Sequence, residues 1–359
     1  VEKNADDVAA LKQMVKMLQE DGAEVNENVN DRKQYEWKSG RLVSIKWNNK
    51  GIKGNLDFGL FDGLRNLNIS KNSLFGVDIS KNKELITLKC NEANLKKLDV
   101  TQNKNLETLF CNMNELGELD VTQNRNLEVL FCNGDALESM DVTQNEKLAE
   151  LFCLGNKLTQ LDISKNSRLL SLGCDQNELS ELDLTGNKKL EYLICNGNQL
   201  KTLDVSENTE LNFLQCTDNQ LQRLDFSGNK KLSTLICRNN QLTELNVQEI
   251  SELIALDCEN NQLTKLDVSG DEKLDNLSCV RNQITELILE NNENLTDLWC
   301  SFNEITGLNI AGLKKLQVLG CNDNRLKGLD VGTNIELRKL VCDYNDLNEL
   351  NVSINEKME

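Results

Sequence analysis

Residues 106–126, with the sequence LETLFCNMNELGELDVTQNRN, show the unit from which most of this chain is built. Cysteines recur along the chain at a constant spacing of 21 residues, and Cys111 is the cysteine of this unit. The thirteen cysteines are Cys90, Cys111, Cys132, Cys153, Cys174, Cys195, Cys216, Cys237, Cys258, Cys279, Cys300, Cys321 and Cys342. A fixed period of about 20–30 residues indicates a solenoid, in which one short unit is stacked many times.

The residues around each cysteine follow a fixed apolar pattern. Leucine lies five and two residues before the cysteine, as at Leu106 and Leu109, and an asparagine such as Asn114 usually lies three residues after it. Alternation of this kind points leucine and cysteine into a core from one face of a strand. Because an asparagine amide both donates and accepts, we expect Asn114 to bond backbone groups where the chain leaves the sheet.

The second half of each unit reads L-D-V-S/T-x-N. So few residues leave no room for a full helix, and we expect short extended or 3₁₀ segments on the convex side. Aspartate side chains suit tight turns because they accept hydrogen bonds from nearby amides. Calcium is the alternative for these carboxylates. The aspartates are Asp78, Asp99, Asp120, Asp141, Asp162, Asp183, Asp204, Asp225, Asp267 and Asp330.

These units resemble a known family. LFCNMNELGELDVTQN, LGCDQNELSELDLTGN and LICNGNQLKTLDVSEN are similar to the bacterial cysteine-ladder leucine-rich repeats of the internalin J type, over about residues 64–357. Residues 35–56 look instead like the N-terminal cap and first repeat of plant-type leucine-rich proteins. The resemblance implies secretion, display on a bacterial surface and recognition of another macromolecule.

The predicted fold is an α/β-type repeat solenoid, a leucine-rich repeat arc with a parallel β-sheet on its concave face. An N-terminal cap over residues 1–41 should contain a helix over about 6–20 that begins near Asn4 or Asp6, ends near Gly22 and is followed by a loop. Val8, Leu11, Val15 and Leu18 should share its apolar face. The solenoid should cover residues 42–359 with about 15 repeats, and its C-terminal end should lack a cap.

Composition narrows the possible functions. The net charge of −18 disfavours nucleic acid and anionic membranes as partners. The absence of histidine removes the usual general base, and no phosphate-binding glycine loop occurs, so we predict no enzyme and no cofactor. No run of 18 apolar residues occurs, so we predict no membrane insertion.

The cysteines are predicted to form a ladder of buried thiols. In-register neighbours about 4.8 Å apart are too widely spaced for disulfides, and no C-x₂₋₄-C motif suggests a metal cage. Oxidation or metal binding remains the alternative, but we predict no metal.

Apolar residues cluster on the concave face. Phe110, Phe131 and Phe152 directly precede cysteine in three successive repeats and should form an exposed aromatic ladder. Met113, Val129 and Leu154 flank this ladder. The candidate ligand-binding residues further along the chain are Tyr192, Ile194, Phe213, Ile236, Trp299 and Phe302. Nearby acidic residues suggest a partner with some basic character; they are Glu150, Asp175, Asp218, Asp257 and Glu259.

The sequence therefore predicts a non-enzymatic recognition or adhesion module. It would act outside a bacterium, at the cell surface after signal-peptide removal, and bind a protein or glycan, on a host or microbial surface. Stabilisation of the sheet by aromatic pairs is the alternative explanation of the cluster, and it suits a spacer that projects another domain. Self-association is another alternative. A catalytic carboxylate pair, Asp257 with Glu259, is the weakest.

Overall fold

The computed structural model describes residues 2–358. The chain forms two compact units, Val1–Leu179 and Ser180–Glu359, here called the first and second unit. Both are built from the 21-residue repeat, and each repeat adds one short strand to a sheet. The predicted solenoid of stacked parallel strands is confirmed.

The first unit begins with helix α1, Ala5–Glu20. The side chain of Asn4 caps it by accepting from the backbone N of Asp7 at 2.9 Å, and Gly22 follows it with φ 89°. Leu11, Val15 and Leu18 are buried as predicted, whereas Val8 is half-buried. The helix end before Gly22 fits the preference for glycine in a left-handed conformation after a helix.

The strands of the first unit are β1 Tyr35–Lys38, β2 Arg41–Lys46, β3 Lys53–Asp57, β4 Asn66–Asn68, β5 Ser73–Asp78, β6 Thr87–Lys89, β7 Thr108–Phe110, β8 Val129–Phe131, β9 Glu150–Phe152 and β10 Ser171–Gly173. Their main sheet has the order β1-β2-β4-β6-β7-β8-β9-β10, parallel from β2 onward, with β1 antiparallel to β2. Strands β3 and β5 form a separate parallel pair.

The strands of the second unit are β11 Tyr192–Ile194, β12 Phe213–Gln215, β13 Thr234–Ile236, β14 Ala255–Asp257, β15 Lys265–Asp267, β16 Asn276–Ser278, β17 Glu286–Ile288, β18 Asp297–Trp299, β19 Val318–Gly320 and β20 Lys339–Val341. The order in its main sheet is β11-β12-β13-β14-β16-β18-β19-β20, all parallel, and β15 pairs with β17. In both units the segments opposite the main sheet are short and extended or turns, and residues 2–358 contain no 3₁₀ helix.

Leucine and cysteine ladders fill the core. In the repeat of Cys111, Leu106, Leu109 and Cys111 are fully buried and Leu116 almost so. All thirteen cysteines are thiols; Cys342 is half-buried and the rest are buried. Burial raises the pKa of the Cys153 thiol to about 12, so this thiol stays protonated and unreactive at neutral pH. The cysteines therefore pack as small hydrophobic side chains.

The asparagine three residues after the cysteine joins neighbouring repeats. The Nδ2 of Asn114 donates to the carbonyl oxygens of Cys90 and Cys111 at 2.9 and 2.6 Å. Its Oδ1 accepts from the backbone N of Ala93 and Leu95 at 3.1 and 3.0 Å. The predicted role of Asn114 is confirmed, since it satisfies backbone groups that have no ladder partner.

A second asparagine ladder lies on the opposite side of the core. Asn103, the last residue of one L-D-V-T-x-N segment, is fully buried, and its Nδ2 donates to the carbonyl oxygens of Ile79 and Asn82, both at 2.9 Å. In the second unit Asn229 donates in the same way to Val205 and Asn208. This ladder holds the turns together where no regular sheet does.

The recurrent aspartates form the predicted turns. The Oδ1 of Asp99 accepts from the backbone N of Thr101 at 2.9 Å and from its hydroxyl at 2.6 Å. The hydroxyl hydrogen bond is the largest of the effects that lower the pKa of Asp99. A carboxylate already used in this way acts as a turn cap.

Two aspartates replace asparagine in these ladders. Asp135 stands in the first ladder, where its Oδ1 accepts from the backbone N of Asn114 at 2.9 Å and the Cys111 thiol lies 3.7 Å from its Oδ2. Asp271 stands in the second ladder, and neither of its carboxyl oxygens has a hydrogen-bond partner among the described residues. Both are fully buried, and desolvation raises the pKa of each to about 7.

Candidate functional site

The side chains on the outer face of each main sheet, here called the sheet face, include the predicted aromatic ladder. In the first unit β7, β8 and β9 pair in register, so that Phe110 lies beside Phe131 and Phe131 beside Phe152. Successive ring centroids are 4.8 Å apart, with interplanar angles of 59° and 62°. The three rings, here called the phenylalanine row, are half-buried because each covers part of the next. The row exists as predicted, but it is less exposed than the sequence suggested.

Neighbouring side chains fix both ends of the phenylalanine row. The ammonium group of Lys89 lies 5.1 Å from the ring centroid of Phe110, within cation–π range. At the other end Phe152 leans over Gly173, where an added Cβ would lie 2.5 Å from its Cδ1. Gly173 therefore gives Phe152 the space it occupies.

The flanking residues lie on the same sheet face. Val129 and Leu154 are half-buried, and Met113 is 63% exposed. The Met113 sulfur lies over Gly134, 2.7 Å from the place of an added Cβ. The six candidate residues of the first unit, here called the first-unit patch, are Phe110, Phe131, Phe152, Met113, Val129 and Leu154.

In the second unit the candidate residues do not form one surface. Tyr192 and Phe213 stack with centroids 4.6 Å apart and an interplanar angle of 15°. Ile194 and Ile236 lie in the neighbouring row, separated by Gln215. All four apolar side chains are half-buried. They form one group at the start of this sheet.

Trp299 and Phe302 form the other group. The ammonium group of Lys339 lies 5.2 Å from the Trp299 ring centroid, and the guanidinium of Arg281 lies 5.1 Å from that of Phe302. Trp299 leans over Gly320, where an added Cβ would lie 2.2 Å from its Cε3. The strands β14 and β16 separate this group from Ile236.

Sequence reasoning missed a cavity between these two groups. It has a volume of about 320 Å³, and its floor carries the short side chains Ala255, Asn276 and Ser278. Ile236 and Trp299 stand at its two sides. The signal that could have located it was the replacement of Tyr192 and Phe213 by the smaller Ala255 and Asn276 at the equivalent position of later repeats.

The two carboxylates considered as a catalytic pair, Asp257 and Glu259, each form an ion pair with an arginine. Asp257 pairs with Arg238, and Glu259 pairs with Arg281 at 3.4 Å. A catalytic carboxyl group must be free to reach the proton or atom that it acts on, whereas each of these carboxylates is already engaged by an arginine. The arrangement therefore does not favour Asp257 with Glu259 as a catalytic pair.

The position two residues after each cysteine adopts a left-handed backbone in every repeat. Glycine, asparagine or aspartate often occupies it, as at Gly134 and Asn239, with φ 67° and 52°. In three repeats a large side chain occupies this position and is exposed. These residues are Met113, Phe302 and Tyr344, with φ 59°, 56° and 52°. Strained backbone of this kind is often retained for function, so these side chains are candidates for contact with a partner.

Met113 provides a test of this strain. Met113→Gly is expected to be more stable than Met113→Ala by about 1 kcal/mol, because only alanine keeps a Cβ in the left-handed conformation. Urea denaturation of the two variants measures the difference. Equal midpoints would show that the left-handed backbone at this position costs nothing.

The repeat, the parallel sheets and the asparagine ladders define a leucine-rich repeat fold. With its buried cysteine ladder, the chain is a leucine-rich repeat solenoid that resembles the cysteine-ladder proteins of this fold. It is similar to the functional domain of InlJ from Listeria monocytogenes, which includes a cysteine ladder, with 31% sequence identity and a TM-score of 0.73. The similarity covers 88% of this chain and 66% of that one, so this chain spans just under two thirds of that domain.

Two further structures share the fold. A leucine-rich repeat protein of Leptospira interrogans is 23% identical with a TM-score of 0.74, over 89% of this chain and 83% of its own. The plant peptide hormone receptor RGFR1, in complex with RGF2, is 20% identical with a TM-score of 0.77, over 88% of this chain and 61% of its own.

Two other comparisons gave no match. No protein-family model matches the chain, and no curated protein matches it. Within residues 2–358, no helix has the length and apolar character needed to cross a membrane.

Proposed function

We propose that this protein is a non-enzymatic recognition module that binds a protein or glycan through the first-unit patch on its sheet face. The observation that carries the proposal is the phenylalanine row, three aromatic rings in contact on a surface where solvated polar residues are expected. Contiguous apolar surface of this kind typically marks an interaction site.

The side chains of the first-unit patch suit a binding interface. Aromatic residues supply much of the binding energy at protein interfaces, because each buries a large rigid surface at low cost in conformational entropy. The rings of Phe110, Phe131 and Phe152 are held in place by one another and by the strand register before any partner arrives. Preorganisation of this kind improves affinity because little ordering remains for the binding step.

The compared proteins support a recognition role and an extracellular location. One is the functional domain of a Listeria internalin, and another is a plant receptor with its peptide hormone bound. We propose by extension that this chain acts outside a bacterial cell, at its surface, in adhesion to a host or microbial surface.

A structural spacer is the second candidate function. The same aromatic contacts stabilise neighbouring strands by about 0.2–1 kcal/mol for each pair, whether or not a partner binds. In that case the row would serve to stiffen a module that projects another domain. Self-association through the row is the third possibility.

The test is binding of the purified chain to host-cell, mucin and glycan-array surfaces, beside the triple variant Phe110→Ser, Phe131→Ser, Phe152→Ser. Loss of even one aromatic anchor commonly costs more than 1 kcal/mol of binding, so the triple variant should bind at least about 100-fold more weakly. Phe75→Ser is the matched control, since Phe75 is 72% exposed but lies on β5, outside the main sheet.

The results of this binding test distinguish the proposed site from the alternatives. Thermal unfolding first checks that all variants are folded, and sedimentation measures self-association of the wild type. Binding retained by the folded triple variant would contradict the proposed site. Absence of binding by the wild type on every surface would favour the spacer.

A further inference from the structure

The cavity on the second unit's sheet face has the character of a subsite for one side chain of a ligand. Ile236 on β13 and Trp299 on β18 stand on either side of β14 and β16. The outward residues of these two strands at the cavity are Ala255, Asp257, Asn276 and Ser278, and Asp257 lies in register between Ile236 and Ser278. Three strand intervals of about 4.8 Å place the flanking strands roughly 14 Å apart. Its volume of about 320 Å³ lies at the lower end for ligand sites, so it suits a side chain rather than a whole macromolecular surface.

The charges around the cavity favour a cation. Asp297 lines it, and the hydroxyl of Thr296 lies 2.8 Å from the Oδ2 of Asp297 and 2.7 Å from the Oδ1 of Asp275. Both carboxylates are half-buried, and neither forms an ion pair with lysine or arginine within the part of the chain that the structure describes. Two such carboxylates create a negative potential that a cationic group would offset.

The other charged pair at the cavity does not cancel this potential. Arg238 is paired with Asp257, so together these two residues contribute no net charge. The aliphatic wall of Ile236 suits the apolar stem of a long basic side chain, while its charged head reaches a carboxylate. Trp299, which leans over Gly320 and has Lys339 near its ring, lines the other side of the cavity. Lys339, whose ammonium group lies 5.2 Å from the Trp299 ring centroid, offsets part of the negative charge. The three carboxylates of Asp257, Asp275 and Asp297 against the two cations Arg238 and Lys339 still leave one net negative charge, which disfavours an anionic ligand.

From this geometry we propose that the cavity between Ile236 and Trp299 binds a lysine or arginine side chain of a protein partner. The inference rests on the proposed recognition function and names a chemical preference of its ligand. Within the second unit this cavity would supply selectivity for a basic residue. A glycan partner would have no need of the cavity.

The test is selection of random peptides on the immobilised full chain. Selected peptides should be enriched in lysine or arginine, and citrulline in place of the critical arginine should weaken binding at least tenfold. Asp297→Asn, which removes charge with little change of shape, and Ser278→Leu, which fills the cavity, should each raise the Kd of a selected peptide at least tenfold. Asp323→Asn is the matched control, an acidic residue on the same sheet face outside the cavity lining, and should leave the Kd within twofold.

The outcomes separate this inference from the proposed function. Peptides without a basic preference, whose binding falls in the triple phenylalanine variant but not in Asp297→Asn, would overturn the inference and leave the proposed function intact. Failure to enrich any peptide, while glycans bind the wild type and the Ser278→Leu variant equally, would also overturn it. Enrichment of basic peptides that bind Asp297→Asn and Ser278→Leu like the wild type would place basic recognition elsewhere and overturn it as well.

Discussion

Replacing both Asp135 and Asp271 by asparagine raises the free energy of unfolding at pH 8 by roughly 2–4 kcal/mol. Each aspartate stands where other repeats place an asparagine amide that donates to two backbone carbonyl oxygens. A buried carboxylate cannot donate, and at Asp271 neither oxygen has a partner among the described residues. An asparagine at position 271 would restore the two donor bonds that Asn292 makes one repeat later.

The sign of the pH dependence follows from the pKa shifts. Desolvation raises the pKa of both carboxyls to about 7 in the folded protein, above the ordinary value near 3.9. The folded state therefore binds more protons than the unfolded state between about pH 4 and pH 7. The stabilisation that the protonated carboxyls of Asp135 and Asp271 contribute is fully present below about pH 4 and is lost as pH rises through about 7.

Urea denaturation at pH 5 and pH 8 measures the effect. The wild type should be less stable at pH 8, and the double variant should lose most of that difference. Asp120→Asn is the control, because Asp120 is an exposed turn residue that accepts from Thr122. Equal stability of the wild type at both pH values would contradict the assignment of protonated ladder aspartates.

The turn aspartates have the opposite effect on the pH dependence of stability. Hydrogen bonds from the hydroxyls of Ser80 and Thr101 lower the pKa of Asp78 and Asp99. Their contribution is present above the ordinary aspartate pKa and is lost as pH falls through the lowered value. Together the two groups of aspartates place the stability maximum at mildly acidic pH.

Replacing Asp7 by alanine lowers the free energy of unfolding of the N-terminal part of the first unit by about 2–4 kcal/mol. Asp7 is 2% exposed, and its Oδ2 accepts from Arg41 Nε and from the backbone N of Leu42, both at 2.9 Å. Its Oδ1 accepts from Arg41 Nη2 at 3.1 Å. Alanine would leave the N–H of Leu42 buried without an acceptor at the contact that joins α1 to β2.

Hydrogen exchange at the amides of β2 measures this loss best, because repeats contact mainly their neighbours and a local change need not appear in a global melting curve. Asp6→Ala is the control, since Asp6 is an exposed neighbour in the first turn of the same helix, and it should cost less than about 1 kcal/mol. Unchanged exchange at β2 in the Asp7 variant would contradict the role given to this carboxylate.

The repeating part of the fold could be predicted because a solenoid places sequence-equivalent residues side by side. The buried positions of Leu109 and Cys111, the capping role of Asn114 and the contact between Phe110 and Phe131 all follow from period and strand alternation. The helix was predicted from its apolar spacing and caps, and it begins one residue earlier than expected.

Other features depend on local packing, which a period does not specify. The repeat sequence includes the buried asparagine typified by Asn103. The hydrogen bonds of this asparagine could not be predicted, because they connect turns whose conformation the sequence does not specify. The direction in which Trp299 leans depends on Gly320 in the next repeat. The cavity arises where two successive repeats carry short side chains beside a larger one. The division into a cap over 1–41 and a solenoid over 42–359 stays a prediction.

The most direct test of the account uses a photoreactive benzoylphenylalanine at position 131 of the phenylalanine row, with the same residue at position 75 as control. Illumination during binding to the surfaces used above should join the chain covalently to its partner from position 131 and not from position 75. Adducts formed only from position 75, or equally from both positions, would contradict recognition through the sheet face.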